Sequence, residues 1–149
     1  MQIIMIAVDG SQESLEAVRQ GAVLVQGGLR AEIALVQVQE AASFLQLATQ
    51  DSDAIAAAAV EAGEHLMAPA ASVLDAAGVT YTTEVVLGEP STVLSDMAEQ
   101  INAHLVIVGA RGMGAIESAL VGSVSKALIS HCSKPVLVVK MPEALAQED

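Results

Sequence analysis

Short apolar runs and longer amphipathic stretches alternate along the whole chain, and this alternation predicts its secondary structure. The apolar runs predict five strands, over Ile3–Val8, Ile33–Val38, Val79–Leu87, Leu105–Val108 and Val136–Val139. The stretches between them carry apolar residues at helical spacing or are rich in alanine. They predict four helices, over Glu13–Gln26, Ser52–Ala77, Ser91–Asn102 and Ser123–His131. Strands and helices that alternate at this spacing are typical of an α/β fold with a parallel sheet.

Two strands and one helix carry a more specific prediction. The third strand alternates polar and apolar residues, which is typical of a partly exposed edge strand. The fifth is apolar throughout, which predicts that both of its faces are covered. Pro69 stands inside the second helix and is expected to kink or divide it. Residues 1–141 are predicted to form one domain, followed by a disordered polar and acidic tail over residues 142–149.

Composition and charge narrow the classes of function. The chain has 149 residues, 53% of them hydrophobic, which is enough for one domain with a buried core. It lacks an apolar run of the roughly 18 residues that a membrane span needs, and it lacks the pattern of a signal peptide. A single cysteine, Cys132, fits a reducing compartment, so a cytoplasmic location is expected. The net charge of −12, with one Tyr and one Phe, argues against a nucleic-acid or anionic-membrane surface.

The few cations are concentrated towards the C-terminal end. Residues 111–140 contain Arg111, Lys126, Lys134 and Lys140 but only one carboxylate, that of Glu117. A glycine-rich stretch stands at the start of this segment, directly after the fourth predicted strand. The coincidence of glycines and cations favours an anion site there.

The glycine spacing excludes two familiar phosphate loops. Gly109 and Gly114 have the spacing of the P-loop glycines. However, Ala115 and Ile116 stand where a P-loop has its Lys and its Ser or Thr. The dinucleotide fingerprint needs a different order of glycines and an acidic residue about 20 positions further on, where this chain has Ile129.

The remaining pattern is Gly109-x2-Gly112-x9-Gly122-Ser123. Gly109 ends a buried strand, where a ligand can approach the backbone, and Gly122 and Ser123 open the following helix. Free N–H groups and the helix dipole at such a start favour a phosphate group over the alternative of a simple turn and cap.

This spacing resembles that of the nucleotide-binding subgroup of the universal stress protein family. The similarity extends to IAVDGSQES, to GEPSTVLSDMAEQINAHLVIVGARG and to GSVSKALISHCSKPVLVV, and it is weakest over Ala41–Ala71. The resemblance implies a single-domain α/β fold of the adenine nucleotide alpha hydrolase-like, Rossmann-like type. Its open five-stranded parallel sheet has the order 3-2-1-4-5, with helices on both faces. It also implies a homodimer through the strand Val136–Lys140, which lies at an edge of that sheet.

The resemblance also implies a ligand, namely ATP, AMP or ADP, with or without Mg²⁺. In ATP-binding members the nucleotide lies across the carboxyl ends of strands one and four. The residues expected around its phosphates and ribose are Gly109, Arg111, Gly112, Met113, Gly114, Gly122, Ser123 and Val124. Asp9 is expected near the ribose or, alternatively, as the cap of the next helix. Ala7 and Val38 are expected to border the adenine or, alternatively, to be ordinary core residues.

No residue pattern predicts a catalytic group. The three histidines stand on separate predicted elements, and none has a metal-ligand spacing with Cys132. The loop lacks a general base, so ATP hydrolysis is expected to be slow if it occurs at all. Three hypotheses stay open: a dimeric ATP-binding regulatory or stress-response module with an unknown protein partner, a nucleotide-free dimeric interaction module of the same fold, and a slow ATPase.

Overall fold

A computed structural model describes residues 1–40, 52–111 and 122–142, and it confirms the predicted order of strands and helices. The elements are β1 (Gln2–Ala7), α1 (Gln12–Gln26), β2 (Ala31–Gln39), α2 (Ser52–Ala77), β3 (Tyr81–Leu87), α3 (Pro90–Gln100), β4 (Leu105–Gly109), α4 (Ser123–His131) and β5 (Val136–Val139). Each lies within two residues of its predicted bounds. Pro69 lies inside α2, which continues past it as one helix, so this proline does not divide the helix.

The strands form one parallel sheet in the order β3-β2-β1-β4-β5, which confirms the predicted topology. The central strand β1 pairs with β2, where Ala7 lies opposite Val36, and with β4, where Ile6 lies opposite Ile107. β3 lies at one edge of the sheet, as its alternating pattern predicted. Since all strands run in the same direction, their carboxyl ends lie along one side of the sheet.

Neighbouring residues of the central strands point to opposite faces of the sheet and fill two separate cores. Ile6 points to the face covered by α1 and α2, where it belongs to the same core as Leu74. Met5 points to the other face, where it belongs to the same core as Leu94 of α3 and Leu128 of α4. Helices therefore cover both faces, as the fold class predicted.

β5 lies at the second edge of the sheet and is less covered than its apolar sequence suggested. Leu137 is 39% exposed, so the prediction that both faces of this strand are covered is wrong for the single chain. Of the predicted tail over residues 142–149, residues 143–149 lie outside the described residues.

Glu89 caps the start of α3 and gives a first testable prediction. Its carboxylate accepts the backbone N–H groups of Ser91 at 3.2 Å and of Thr92 at 2.8 Å. The Thr92 N–H, followed by the Ser91 hydroxyl, lowers the pKa of Glu89 from 4.5 to about 2. We expect Glu89→Ala to lower the free energy of unfolding by about 1 kcal/mol at pH 7, measured in urea.

The capping effect of Glu89 should also depend on pH. Because the folded state lowers the pKa of Glu89, its stabilisation is present above pH 4.5 and is lost as the pH falls towards 2. The difference in stability between the parent and Glu89→Ala should therefore shrink across that window. Glu89→Gln, which keeps an acceptor without a charge, serves as the control. A difference that stays constant down to pH 2 would show that the carboxylate does not cap the helix.

Candidate functional site

Three apolar residues that were predicted near the ligand lie at the carboxyl side of the sheet. Ala7 ends β1, Val38 is the penultimate residue of β2, and Val124 belongs to the first turn of α4. All three are half-buried and pack against the core that the sheet forms with α3 and α4. All three residues are therefore part of the core, which was the alternative expectation for Ala7 and Val38. Each of them also keeps some exposed surface on this face of the sheet.

The backbone of Val38 points to the place where β1 has ended. The carbonyl of Val36 accepts the N–H of Val8 at 2.9 Å, and residues two apart in a strand direct their backbone groups to the same side. The N–H and C=O of Val38 therefore point past the last pairing of the two strands, that of Ala7 with Val36. The side-chain amide of Gln37 donates a hydrogen bond to the Val38 carbonyl at 3.0 Å.

The start of α4 provides backbone donors at the same side of the sheet. Gly122 is the N-cap, with φ −75° and ψ 169°, and it has no side chain with which to cap the helix. The N–H groups in the first turn of a helix have no acceptor within the helix, and the helix dipole adds partial positive charge there. Ser123, the first residue of the helix, is exposed, and a helix start of this kind favours an anion.

A small network fixes this helix start to the end of β4. The carbonyl of Ala110 accepts the N–H of Gly122 and, at 2.8 Å, the hydroxyl of Ser125. Ser125 is 2% exposed, and its hydroxyl also lies 3.1 Å from the Gly122 carbonyl. Because Arg111 follows Ala110 directly, Arg111 and Gly122 are held close to the same point of the sheet.

Gly109 ends β4 where the first turn of α1 crosses it. A Cβ atom at this position would lie 2.9 Å from the carbonyl carbon of Glu13 and 3.0 Å from the backbone nitrogen of Ser14. Both are backbone atoms, so only a shift of the helix could relieve the contact. The close approach that requires a glycine here is made by α1.

Arg111, which was predicted beside the phosphates, is bound by a carboxylate of α1. Oε1 of Glu13 accepts the Nε–H of Arg111 at 3.0 Å and lies 3.0 Å from its Nη2 atom. Oε2 of Glu13 accepts the backbone N–H of the same arginine. Glu13 is 8% exposed, whereas the Arg111 side chain is 31% exposed. The positive charge predicted for this segment is thus offset at Arg111 by a residue 98 positions earlier.

Asp9 lies between β1 and α1 and stabilises the turn that joins them. Its Oδ1 atom accepts the backbone N–H of Ser11 at 2.9 Å. The N-cap of α1 is Ser11, whose hydroxyl accepts the N–H of Ser14 at 3.1 Å, so the alternative that Asp9 caps this helix is wrong. The other expectation, a position near the ribose, stays a prediction.

Sequence reasoning missed three buried polar residues that build this side of the sheet, namely Glu13, Gln37 and Ser125. Gln37 could have been found, since it continues the core-facing alternation of Ile33 and Leu35 with a polar side chain. In the sequence, Glu13 is simply an acidic residue in the first turn of a predicted helix. This arrangement is common and does not indicate a partner.

The described residues show neither a metal centre nor a membrane segment. Within ranges 1–40, 52–111 and 122–142, no three His, Cys, Asp or Glu side chains are placed to hold a metal ion. None of the helices in these ranges has the length and hydropathy needed to cross a membrane.

Comparison with known proteins identifies the family. The model of the universal stress protein family matches residues 1–140. The chain belongs to this family. Universal stress protein MJ0531 of Methanocaldococcus jannaschii is 31% identical over 141 residues, which cover 94% of this chain and 82% of the relative. A putative universal stress protein of Staphylococcus aureus is 32% identical over 142 residues, which cover 94% of this chain and 84% of that protein.

Solved structures share the fold of this universal stress protein. Hypothetical protein MJ0577 superposes with a TM-score of 0.80 at 22% identity, over 95% of this chain and 97% of its own. A universal stress protein in complex with cAMP has a TM-score of 0.65 at 23% identity, over 93% and 96% of the two chains. A family member from Arabidopsis thaliana with AMP bound has a TM-score of 0.68 at 19% identity, over 97% and 94%. At these identities the likeness establishes the fold.

Proposed function

We propose that this universal stress protein binds an adenine nucleotide, ATP or its shorter forms ADP and AMP, and acts as a dimeric cytoplasmic module in the response to stress. One juxtaposition carries the proposal: half-buried Ala7, Val38 and Val124 lie at the same side of the sheet as the start of α4 at Gly122 and Ser123. A nucleotide needs an apolar surface for its base and N–H donors for its phosphates, and these residues fit both requirements. Neighbours in complex with cAMP and with AMP support this class of ligand.

Each part of the nucleotide has a proposed partner. The backbone of Val38 is proposed to bind the adenine edge, because its N–H and C=O point past the end of β1. Ala7 is proposed to border the ring, and Asp9 to bind the ribose. The residues proposed around the phosphates are Gly109, Arg111, Gly122, Ser123 and Val124, together with Gly112, Met113 and Gly114, which lie outside the described residues.

A calorimetric titration tests the proposed function. Protein freed of any co-purified ligand is titrated with ATP, ADP and AMP, each with and without Mg²⁺, and with GTP, GDP and GMP as the controls for the base. We expect saturable binding of at least one adenine nucleotide, and binding of the matching guanine nucleotide weaker by about tenfold or more, since its base edge presents different hydrogen-bonding groups. If no adenine nucleotide binds at any of several temperatures, the function is wrong and a nucleotide-free interaction module is favoured.

The exposed edge of the sheet supports the proposed homodimer. β5 is the last strand of the sheet, with no further strand beside it within residues 1–40, 52–111 and 122–142, and its Leu137 is 39% exposed. Ile129 of α4, a helix that contacts β5, is 56% exposed. An apolar edge strand with free backbone groups pairs readily with a second copy, and the strand Val136–Lys140 is proposed to do so.

Light scattering after gel filtration tests the dimer. The parent protein is expected to have the mass of a dimer, and Leu137→Lys is expected to shift it towards a monomer, because a charge at a paired apolar edge is unfavourable. Leu87→Lys is the matched control, since Leu87 is 44% exposed on β3, at the opposite edge of the sheet. A monomeric parent would contradict the proposed dimer. A dimer that Leu137→Lys leaves intact would contradict the proposed interface.

A further inference from the structure

Glu13 places a carboxylate on groups that an incoming phosphate would use. Its two oxygens together engage the backbone N–H, the Nε–H and the Nη2 group of Arg111. A carboxylate and a phosphate each bind a guanidinium through two oxygen atoms. The same N–H groups of Arg111 therefore cannot bind both at once. The carboxylate is held on Arg111 by its surroundings, because Glu13 is 8% exposed and its helical turn packs directly on Gly109.

This ion pair lies beside the start of α4. Arg111 follows Ala110, and the Ala110 carbonyl is bonded to the N–H of Gly122 and to the hydroxyl of Ser125. A phosphate bound at the first turn of α4 would therefore approach Ala110, whose neighbour Arg111 holds the negative charge of Glu13. Each further phosphate adds negative charge, so the repulsion grows from a monophosphate to a triphosphate.

We propose that Glu13 determines how many phosphates the site accepts, by holding Arg111 and by repelling the outer phosphates, so that AMP binds in preference to ATP. This inference rests on the proposed adenine-nucleotide function and narrows it. It does not follow from the glycine pattern, which is intact. It follows from the contact between residues 98 positions apart.

Glu13→Gln tests the proposal, because it removes the charge and keeps the size of the side chain. The quantity to measure is the ratio of the Kd for ATP to the Kd for AMP, each obtained by calorimetry without Mg²⁺. We expect the ratio to be above one in the parent and to fall about tenfold in Glu13→Gln, as expected for the loss of one nearby like charge. Glu13→Asp, which keeps the charge, should retain most of the preference for AMP.

Glu16→Gln is the matched control. Glu16 lies one turn further along α1, is 7% exposed, and pairs with Arg19 at 3.1 Å. Its ion pair is therefore similar to that of Glu13 but lies further from the carboxyl side of the sheet. The Kd ratio of Glu16→Gln should equal that of the parent.

If Glu13→Gln fails to fold because Arg111 loses the Glu13 carboxylate, the double variant Glu13→Gln with Arg111→Gln removes both charges. The ratio should still fall in the double variant, because the repulsion is lost, but by less than tenfold, because the Arg111 guanidinium can no longer bind a phosphate. A ratio that Glu13→Gln or the double variant leaves unchanged, or a parent that already prefers ATP, would overturn this inference alone. If neither the parent nor any variant binds AMP or ATP, the proposed function and this inference both fail.

Discussion

Gly109→Ala is expected to lower the free energy of unfolding by about 2–3 kcal/mol. The new Cβ would lie 2.9 Å from the carbonyl carbon of Glu13, 3.0 Å from the Cβ of Glu13 and 3.0 Å from the nitrogen of Ser14. Backbone atoms cannot move aside as a flexible side chain can, so the first turn of α1 would have to shift away from β4. The same shift would loosen the ion pair between Glu13 and Arg111. Urea unfolding measures the loss in the free energy of unfolding.

Gly88→Ala is the control for this substitution. A Cβ at Gly88 would approach only the Cγ2 atom of Val93, at 2.6 Å, and this side-chain atom moves when Val93 turns about its χ1 angle. We therefore expect a smaller loss, of about 1 kcal/mol or less. Equal losses for Gly109→Ala and Gly88→Ala would contradict the close contact between α1 and the end of β4.

Gly122→Val is expected to weaken the binding of an adenine nucleotide by about 100-fold, which corresponds to about 2.7 kcal/mol. The backbone of Gly122 is extended, with φ −75° and ψ 169°, a conformation that valine adopts without strain. The fold should therefore persist. The branched side chain would occupy the space in which phosphates approach the first turn of α4.

Gly122→Ala gives the graded comparison for that experiment. Its smaller side chain should cost less affinity than valine, while circular dichroism and urea unfolding confirm that both variants are folded. If Gly122→Val folds and binds the nucleotide as tightly as the parent does, the phosphates do not lie at the start of α4.

Local sequence patterns were sufficient to predict the strands and helices. α4 and β5 begin and end where their patterns predicted, and so does α2, whose alanine-rich sequence favours a helix throughout. Pro69 was expected to kink or divide α2, yet the helix continues through it. The order of the strands came from the resemblance to the family, since the apolar pattern alone fixes the strands and not their neighbours.

The candidate site was predictable only in part. The position of Gly122, Ser123 and Val124 at the start of α4 follows from a local motif, because it depends on a single helix start. The contact of Glu13 with Arg111 joins two distant segments, and a single sequence contains no local signal for such a pair. Asp9 shows the same limit at shorter range: Asp9 and Ser11 can each cap a helix, and only the backbone conformation shows that Ser11 does so.

Backbone amide resonances of the ¹⁵N-labelled protein, followed during a titration with AMP, test the central claim most directly. Binding across the carboxyl side of the sheet predicts shifts at Val38, Ser123 and Val124 that saturate together. The amides of Gln2 and Ala31, at the opposite ends of β1 and β2, should stay unchanged and serve as the internal control. Unchanged resonances at the first three residues in the presence of saturating AMP, or shifts confined to another surface, would contradict a nucleotide site at this side of the sheet.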